Sequence, residues 1–191
     1  MSTKKSAASA VFVVFFSLLA TQIGYAKTLL NPIALPPFRD FRKIEITPLL
    51  NINNASNVSS FVYNHVVAQA NNGKREVLDA TKIPMAFVAY WCPHCERTLA
   101  MWKLHHAHFP DLVFVGYPQG TTFSQAKQRA WAEIRYFHLP VTANQVNFVI
   151  GNQQDQYVPK GFPNYVYAVG HQDKSLLGEH TWKIWHSVLP N

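Results

Sequence analysis

The sequence feature that most constrains the fold is the stretch Trp91-Cys92-Pro93-His94-Cys95, which contains both cysteines of the 191-residue chain. An apolar run over residues 83–90 leads into it, and a run with helical spacing, residues 96–104, follows it. The cysteine pair is therefore predicted to lie where a buried strand ends and a helix begins. At such a position free backbone N–H groups and the helix dipole stabilise a thiolate. Pro93 suits the first helical turn, where its missing N–H has no intrahelical partner to lose.

The Trp-Cys-Pro-His-Cys sequence after an apolar strand resembles the active site of the thioredoxin superfamily. The Pro93-His94 dipeptide is similar to that of DsbA-type oxidases and of many TlpA-like periplasmic proteins. A zinc half-site and an inert structural disulfide are the alternatives. Zinc would need a second pair of ligands at short spacing. The candidates His105, His106 and His108 lie about three helical turns further along the chain.

A second hallmark of that superfamily is matched by Gly161-Phe162-Pro163, which opens an apolar run over residues 164–169. In the family this proline is cis and faces the cysteine pair, and the resemblance implies the same for Pro163. Cys95 and Pro163 are 68 residues apart, a longer gap than in minimal thioredoxins and a shorter one than in DsbA-type proteins. This gap resembles that of the TlpA-like group, and conjugation-associated thioredoxin-like proteins are a second fit.

Residues 1–26 are predicted to be a secretory signal peptide. Lys4 and Lys5 form a charged start, residues 10–20 form an apolar stretch, and residues 24–26, Gly-Tyr-Ala, resemble a cleavage site. The apolar stretch is short for a membrane span, and an uncleaved anchor is the alternative. We therefore expect a periplasmic or secreted protein in an oxidising compartment, where a disulfide between the cysteines persists.

The charge pattern argues against a nucleic-acid partner. The formal net charge of the whole chain is +7, and removal of the signal peptide would lower it to about +5 because Lys4 and Lys5 are lost. The remaining basic residues are scattered instead of clustered. We predict cysteine-containing exported proteins and a membrane redox partner as partners, and neither a cofactor nor a metal.

Residues 27–75 are predicted to form an N-terminal extension with one helix, and residues 76–191 the thioredoxin-like domain. Prolines interrupt residues 27–56, where a short strand is expected near residues 42–47. Apolar side chains then recur at helical spacing and predict a helix that ends at residues 71–73, an Asn-Asn-Gly stop signal. These side chains are Val58, Phe61, Val62 and Val66.

The predicted domain is α/β, a thioredoxin fold whose central mixed sheet is flanked by helices. Buried strands at residues 83–90 and 112–117 enclose the helix after the cysteines, an order that implies parallel pairing and a right-handed crossover. A capping box at Thr122 and Gln125 opens a helical connection between the two halves of the fold. The chain then offers a short strand or buried loop at residues 146–150 and a hairpin turn at residues 170–174. An edge strand at residues 175–178 and a final helix capped by Thr181 complete the domain.

The resemblance implies a role for each residue of the cysteine stretch. Cys92 is expected to be exposed and to act as the nucleophile, whereas the more buried Cys95 is expected to resolve the mixed disulfide. His94 would contribute an N–H donor and, when protonated, a positive charge beside the Cys92 sulfur, and Pro93 starts the helix. Such a charge stabilises the reduced form and makes the disulfide more oxidising.

The docking surface for a substrate is predicted from the same resemblance. Trp91 should line it, and Phe162 and Pro163 should offer backbone groups to an extended substrate chain. Phe162 is bulkier than the residue usual before that proline, which would narrow access. Many relatives carry a buried acid six residues before the first cysteine, where this chain has Ala86. Glu96 is predicted to be solvated, so no general acid or base is assigned.

Thiol–disulfide exchange on exported proteins is the function predicted first. The Pro-His dipeptide favours an oxidase or isomerase, whereas the TlpA-like gap favours a reductase fed by a membrane partner, so the direction stays open. A copper chaperone using Cys92, Cys95 and a histidine is a second class, because copper(I) favours thiolates. A thioredoxin-like assembly factor of a conjugation or secretion system is a third.

Overall fold

The structure, a computed structural model, describes residues 55–151, 154–158 and 161–190. The predicted signal peptide and the strand expected near residues 42–47 lie outside this part of the chain. Within the described ranges, the structure contains no helix that is both long enough and apolar enough to cross a membrane.

One mixed sheet forms the centre of the described residues. Its strands are β1 (Ser56–Asn57), β2 (Val66–Ala70), β3 (Arg75–Leu78), β4 (Met85–Val88), β5 (Asp111–Phe114), β6 (Val146–Phe148), β7 (Asn164–Val169) and β8 (Gln172–Leu177). Their order across the sheet is β1-β8-β7-β4-β5-β6-β2-β3. The helices are α1 (Ser60–Tyr63), α2 (Pro93–Leu104), α3 (Phe123–Phe137), α4 (Gln154–Tyr157) and α5 (Trp182–His186), with a 3₁₀ helix over Ala143–Gln145.

Four adjacent strands of the sheet have the order of a thioredoxin-like fold, as the sequence predicted. Strands β4 and β5 are parallel and are joined through α2, whereas β7 pairs antiparallel with β4 and with β8. The resulting order β5-β4-β7-β8, followed by α5, combines a β-α-β unit with a β-β-α unit. Every residue of β4 and β5 is buried, which is why these strands are nearly continuous apolar runs. Of the short strand and the buried loop considered for residues 146–150, the structure has the strand, β6.

The helix predicted from Val58 to about residue 70 is wrong. Helix α1 spans Ser60–Tyr63, and the chain then forms a β-hairpin of β2 and β3 whose turn contains Gly73 at φ +84°. Strand β2 also pairs with β6, and its buried Val66 and Ala68 alternate with partly exposed neighbours. β-Branched residues at 66 and 67 favour such a pleated surface. The period-two pattern and the partner strand therefore override the helical spacing.

The strand predicted as the sheet edge, at residues 175–178, is longer and is paired on both sides. Strand β8 pairs with β7 up to Val169 and Gln172, which leaves Gly170 and His171 in the predicted hairpin turn. On its other side β8 pairs with the two residues of β1. Strands β1 and β2 belong to the segment predicted as an extension with one helix. In the described part of the chain, this segment therefore contributes strands to the sheet.

Helix α3 connects the two halves of the fold and begins where the capping box predicts. The Thr122 hydroxyl accepts a hydrogen bond from the Gln125 N–H, and the Gln125 side chain accepts one from the Thr122 N–H. The face of α3 that packs into the protein contains one acidic residue among small and apolar ones. Its buried residues are Ala126, Ala130, Glu133, Ile134 and Phe137.

Candidate active site

The two cysteines lie where the chain passes from β4 to α2. Cys92 is the N-cap residue of α2, with extended backbone at φ −89° and ψ 110°, and Pro93 occupies the start of the helix. Cys95 is one turn further along and has no solvent-accessible surface. Both cysteines are free thiols. This is the placement predicted from the apolar run and the helical spacing around the pair.

The expectation that Cys92 is exposed is wrong, because 5% of its surface is accessible to solvent. Its sulfur accepts hydrogen bonds from the Cys95 thiol and from the backbone N–H groups of Cys95 and His94. The first N–H groups of a helix have no intrahelical acceptor, so a sulfur at the N-cap can satisfy them. These donors hold the Cys92 side chain against the helix terminus instead of in solvent.

The same donors lower the pKa of Cys92 to about 6. The hydrogen bond from the Cys95 thiol makes the largest contribution, burial opposes it, and the backbone N–H groups add smaller contributions. The charge of His94 lowers the pKa least among these causes. Cys92 is therefore mainly a thiolate at neutral pH, and the thiolate is the nucleophile in disulfide exchange.

Cys95 is the opposite case. Burial raises the pKa of its thiol well above the ordinary value, and the hydrogen bond to Cys92, the charge of Cys92 and the charge of Glu133 raise it further. The Ala89 N–H donates to the Cys95 sulfur at 3.4 Å, and this hydrogen bond lowers the pKa of Cys95. One thiol of the pair is thus prepared to attack at neutral pH, while the other retains its proton.

A titration of the reduced protein checks this difference. We expect the ultraviolet absorbance to rise with a midpoint near pH 6 by the amount that one thiolate contributes. This thiolate is Cys92, while Cys95 stays protonated across the neutral range. Cys92→Ser should remove the step, and Cys95→Ser should keep it because the hydroxyl can still donate. A first midpoint near the ordinary cysteine value of about 8.5 would contradict the assignment.

A buried carboxyl that the sequence analysis did not single out lies within electrostatic reach of both cysteines. Glu133 of α3 is fully buried, and neither carboxyl oxygen has a hydrogen-bond partner among the described residues. Burial raises the pKa of Glu133 well above its ordinary value, and the charges of Glu96 and Cys92 raise it further. The sequence signal for this residue is an acid on the apolar stripe of a helix.

Glu96 also lies inside the protein, contrary to the prediction that it is solvated. It is 6% exposed in the first turn of α2, where the helix dipole favours a negative side chain. Ala86 of β4, the position at which the resemblance implies a buried acid, is fully buried and has no titratable group. Glu96 and Glu133, which act electrostatically on each other, therefore come from α2 and α3 and not from the strand.

His94 forms a polar cluster with Arg97 and Glu179. The Nδ1 atom of His94 is 2.8 Å from Arg97 Nη2 and 3.2 Å from Glu179 Oε1. Arg97 Nε donates to the same Glu179 oxygen at 2.5 Å. Arg97 belongs to α2, and Glu179 lies between β8 and α5. Two charged side chains from different parts of the chain therefore contact the imidazole between the cysteines.

The residues predicted to bind substrate form an aromatic surface near the cysteines. Trp91 is 47% exposed, its Nε1–H donates to the Gly116 carbonyl at 2.6 Å, and its ring packs edge-on against Phe162 at 5.8 Å. The Phe162–Pro163 peptide bond is cis, as predicted. Because β7 begins at Asn164 and pairs with β4, Pro163 lies beside the end of β4, next to the cysteine stretch.

The histidines considered as zinc ligands lie at the opposite end of α2 from the cysteines. His105 stacks on Trp182 at 4.3 Å, and His106 and His108 line the same pocket together with His186. Among the residues that the structure describes, no group of three or more His, Cys, Asp or Glu side chains is placed to hold a metal ion. The structure does not bring these histidines together with the thiols.

Fold and site together define a thioredoxin-like protein with a dithiol at a helix N-terminus beside a cis proline. No protein-family model matches the sequence, and no curated protein matches it either. Among solved structures, the crystal structure of StoA from Bacillus subtilis is similar to this chain. The two share 14% sequence identity over 66% of this chain and 96% of that chain, with a TM-score of 0.41. The class therefore rests on the strand order and on the dithiol site.

Proposed function

We propose that the protein is a thiol:disulfide oxidoreductase that exchanges disulfides with exported, cysteine-containing proteins. The observation that carries the proposal is the placement of the two thiols, with Cys92 at the N-cap of α2 and Cys95 fully buried one turn further along. The pKa of Cys92 is lowered to about 6, whereas that of the buried Cys95 is raised well above its ordinary value. Exchange needs one thiolate to attack and a second thiol to resolve the intermediate. A purely structural disulfide does not need this difference.

In the reductive direction, the Cys92 thiolate attacks one sulfur of a substrate disulfide. A Cys92–substrate disulfide forms, the substrate disulfide breaks, and the other substrate sulfur leaves as a thiolate that takes a proton from solvent. Cys92 then no longer carries a negative charge. That charge is one of the causes that raise the pKa of Cys95 and of Glu133. The mixed disulfide therefore makes both groups easier to ionise.

In the second step, Cys95 loses its proton and attacks the Cys92 sulfur. We assign Glu133 as the acceptor of that proton, because Cys95 has no solvent-accessible surface and an internal acceptor is needed. Glu133 must first release its own proton to solvent, which the loss of the negative charge on Cys92 favours. The second substrate sulfur leaves as a thiolate. The protein is oxidised to the Cys92–Cys95 disulfide and the substrate is reduced to a dithiol. Oxidation of a substrate dithiol is the reverse sequence.

The proposal covers both directions of electron flow. A Cys92 pKa of about 6 lies between about 3.5 for DsbA and about 7 for thioredoxin. The direction would then be decided by a redox partner in the membrane, which either supplies electrons to the dithiol or withdraws them. The predicted signal peptide supports a periplasmic or secreted location for this exchange.

A substrate would bind as an extended chain along the aromatic surface formed by Trp91 and Phe162. The cis Pro163 beside them is buried, and its carbonyl accepts a hydrogen bond from the Gly178 N–H at 2.8 Å. Phe162 packs closely over Gly116, since a Cβ at that position would lie 3.1 Å from the Phe162 Cζ. The ring therefore occupies space that a smaller residue before Pro163 would leave free. We propose that the Phe162 ring limits the substrates to those whose reactive cysteine lies in a flexible, extended segment.

The experiment that tests the function uses one preparation of the chain from Lys27 to the C-terminus. We expect alkylation and mass spectrometry to show one reversible Cys92–Cys95 disulfide, and we expect catalysis of insulin reduction, of peptide oxidation, or of both. Cys92→Ser is the matched control and should be inactive. If both thiols resisted mild oxidant and the protein bound copper(I) stoichiometrically, the proposal would be wrong and the copper-chaperone alternative would be favoured.

A further inference from the structure

One atom of the active site has two charged partners with opposite hydrogen-bonding capacity. The Nδ1 of His94 lies 2.8 Å from a guanidinium nitrogen of Arg97 and 3.2 Å from a carboxylate oxygen of Glu179. The two partners are themselves joined at 2.5 Å. The side chains of Glu179 and Arg97 are 5% and 13% exposed, compared with 40% for His94. The imidazole is therefore the most exposed member of the cluster, and the other two side chains are largely buried.

The two partners favour different forms of the imidazole. A guanidinium can only donate, so Arg97 bonds to Nδ1 when that atom has a free lone pair. A carboxylate can only accept, so Glu179 bonds to Nδ1 when it carries a proton. The shorter contact is the one to Arg97, and a guanidinium needs the free Nδ1 lone pair that a ring with its proton on Nε2 provides. Arg97 thus opposes a positive charge on His94, and Glu179 supports one.

We propose that Arg97 and Glu179 are positioning residues for disulfide exchange, which hold the His94 ring and set by their competition for Nδ1 how often it carries a positive charge beside Cys92. This inference rests on the function proposed above. It adds control from Glu179, which lies 84 residues after Cys95 in the sequence and outside the cysteine stretch. The balance of the two partners would then adjust the reduction potential without any change in the Cys-Pro-His-Cys sequence.

The proposal predicts opposite results for two substitutions. Arg97→Gln leaves Glu179 as the partner of Nδ1, favours protonated His94 and stabilises the Cys92 thiolate. The glutathione equilibrium should then shift toward the reduced protein by roughly threefold, or about 14 mV, since tenfold corresponds to about 29.6 mV. Glu179→Gln leaves Arg97 as the partner and should shift the equilibrium toward the disulfide by a similar factor.

The sign of each shift separates this mechanism from a direct effect of charge on the thiolate. Acting directly across space, the loss of the Arg97 charge would destabilise the thiolate, and the loss of the Glu179 charge would stabilise it. Both direct effects are opposite to those expected through His94. In a His94→Ala background, the expected shifts should therefore disappear or change sign. Arg97→Lys, which keeps a donor and a charge, should remain closer to the wild type than Arg97→Gln does.

The test combines glutathione equilibria of these variants with nitrogen-15 spectra of the histidine rings in the reduced wild type. We expect His94 in the neutral ring to carry its proton on Nε2, and we expect the two opposite shifts that depend on His94. A proton on Nδ1 in the wild type, shifts with the direct-charge sign, or shifts that persist in His94→Ala would overturn the inference. A wild type without any reversible disulfide would instead overturn the proposed function.

Discussion

Replacing Cys95 by alanine is expected to convert the protein into a trap that keeps its substrate as a mixed disulfide on Cys92. Without the resolving thiol the second exchange cannot occur, and the substrate leaves only when an external thiol attacks. Cys92→Ala should form no mixed disulfide, because the remaining Cys95 is fully buried and its pKa is raised well above the ordinary value. Turnover should fall more than about a hundredfold in both variants.

The structure adds a second, finer expectation for this trap. The Cys95 thiol is the largest contribution to the low pKa of Cys92, so Cys95→Ala should raise that pKa, whereas Cys95→Ser keeps a donor and should preserve much of it. Both variants should trap a substrate, and near pH 7 the serine variant should do so roughly tenfold faster, because more of its Cys92 is thiolate.

A defined disulfide peptide, non-reducing electrophoresis and mass spectrometry measure both expectations. If Cys92→Ala trapped substrate at the rate of the Cys95 variants, the assignment of Cys92 as the nucleophile would be wrong. Equal rates for the alanine and serine variants would contradict the contribution of the Cys95 hydrogen bond.

Local signals in the sequence were sufficient to predict the part of the fold that contains the dithiol. The apolar run before Trp91 and the helical run after Cys95 predict β4 and α2, because a fully buried parallel strand needs no alternation. The capping box predicts the start of α3, since both of its hydrogen bonds form within four residues. In each case the residues that determine the element are the ones in contact with each other.

The β2 strand was not predicted, because its local pattern also fits a helix and one of its two partner strands, β6, is distant in the sequence. Val66 lies at helical spacing from Val58 and Val62, and this pattern alone favours a helix. The structure pairs Gln69 of β2 with Phe148 of β6. Backbone hydrogen bonds to β3 and to this remote strand together decide between two local patterns that are both present. Tertiary context of this kind often overrides propensity.

The same limit explains why the buried acid was missed. The resemblance directs attention to position 86, where Ala86 of β4 has no titratable group. The carboxyl near the thiols comes instead from Glu133, on a helix that only packing brings to the site. A charged residue among Ala126, Ala130 and Ile134 is a visible anomaly of the helical stripe. Its proximity to the cysteines is not visible in the sequence.

Glu133 should lower the stability of the reduced protein as pH rises, and Glu133→Gln should remove this effect. The pKa of Glu133 is raised in the folded state, so the unfolded chain releases the proton first. Stability from the neutral carboxyl is therefore complete below the unfolded pKa, near 4.5, and is lost as pH rises toward the folded pKa. The free energy of unfolding of Glu133→Gln should exceed that of the wild type by a margin that grows by up to about 1.4 kcal/mol per pH unit as the pH rises.

The same substitution should slow the resolving step even though it makes the protein more stable. The amide introduced by Glu133→Gln cannot accept a proton from Cys95, so the mixed disulfide should persist on the order of a hundredfold longer. Urea unfolding of the reduced protein between pH 4.5 and 7 and stopped-flow measurement of the resolving step provide the two readouts. Asp79→Asn is the control, because the pKa of Asp79 is lowered by its bond from Thr81 and its loss should destabilise the protein at neutral pH. A Glu133→Gln variant with an unchanged resolving rate would show that Cys95 passes its proton to another group.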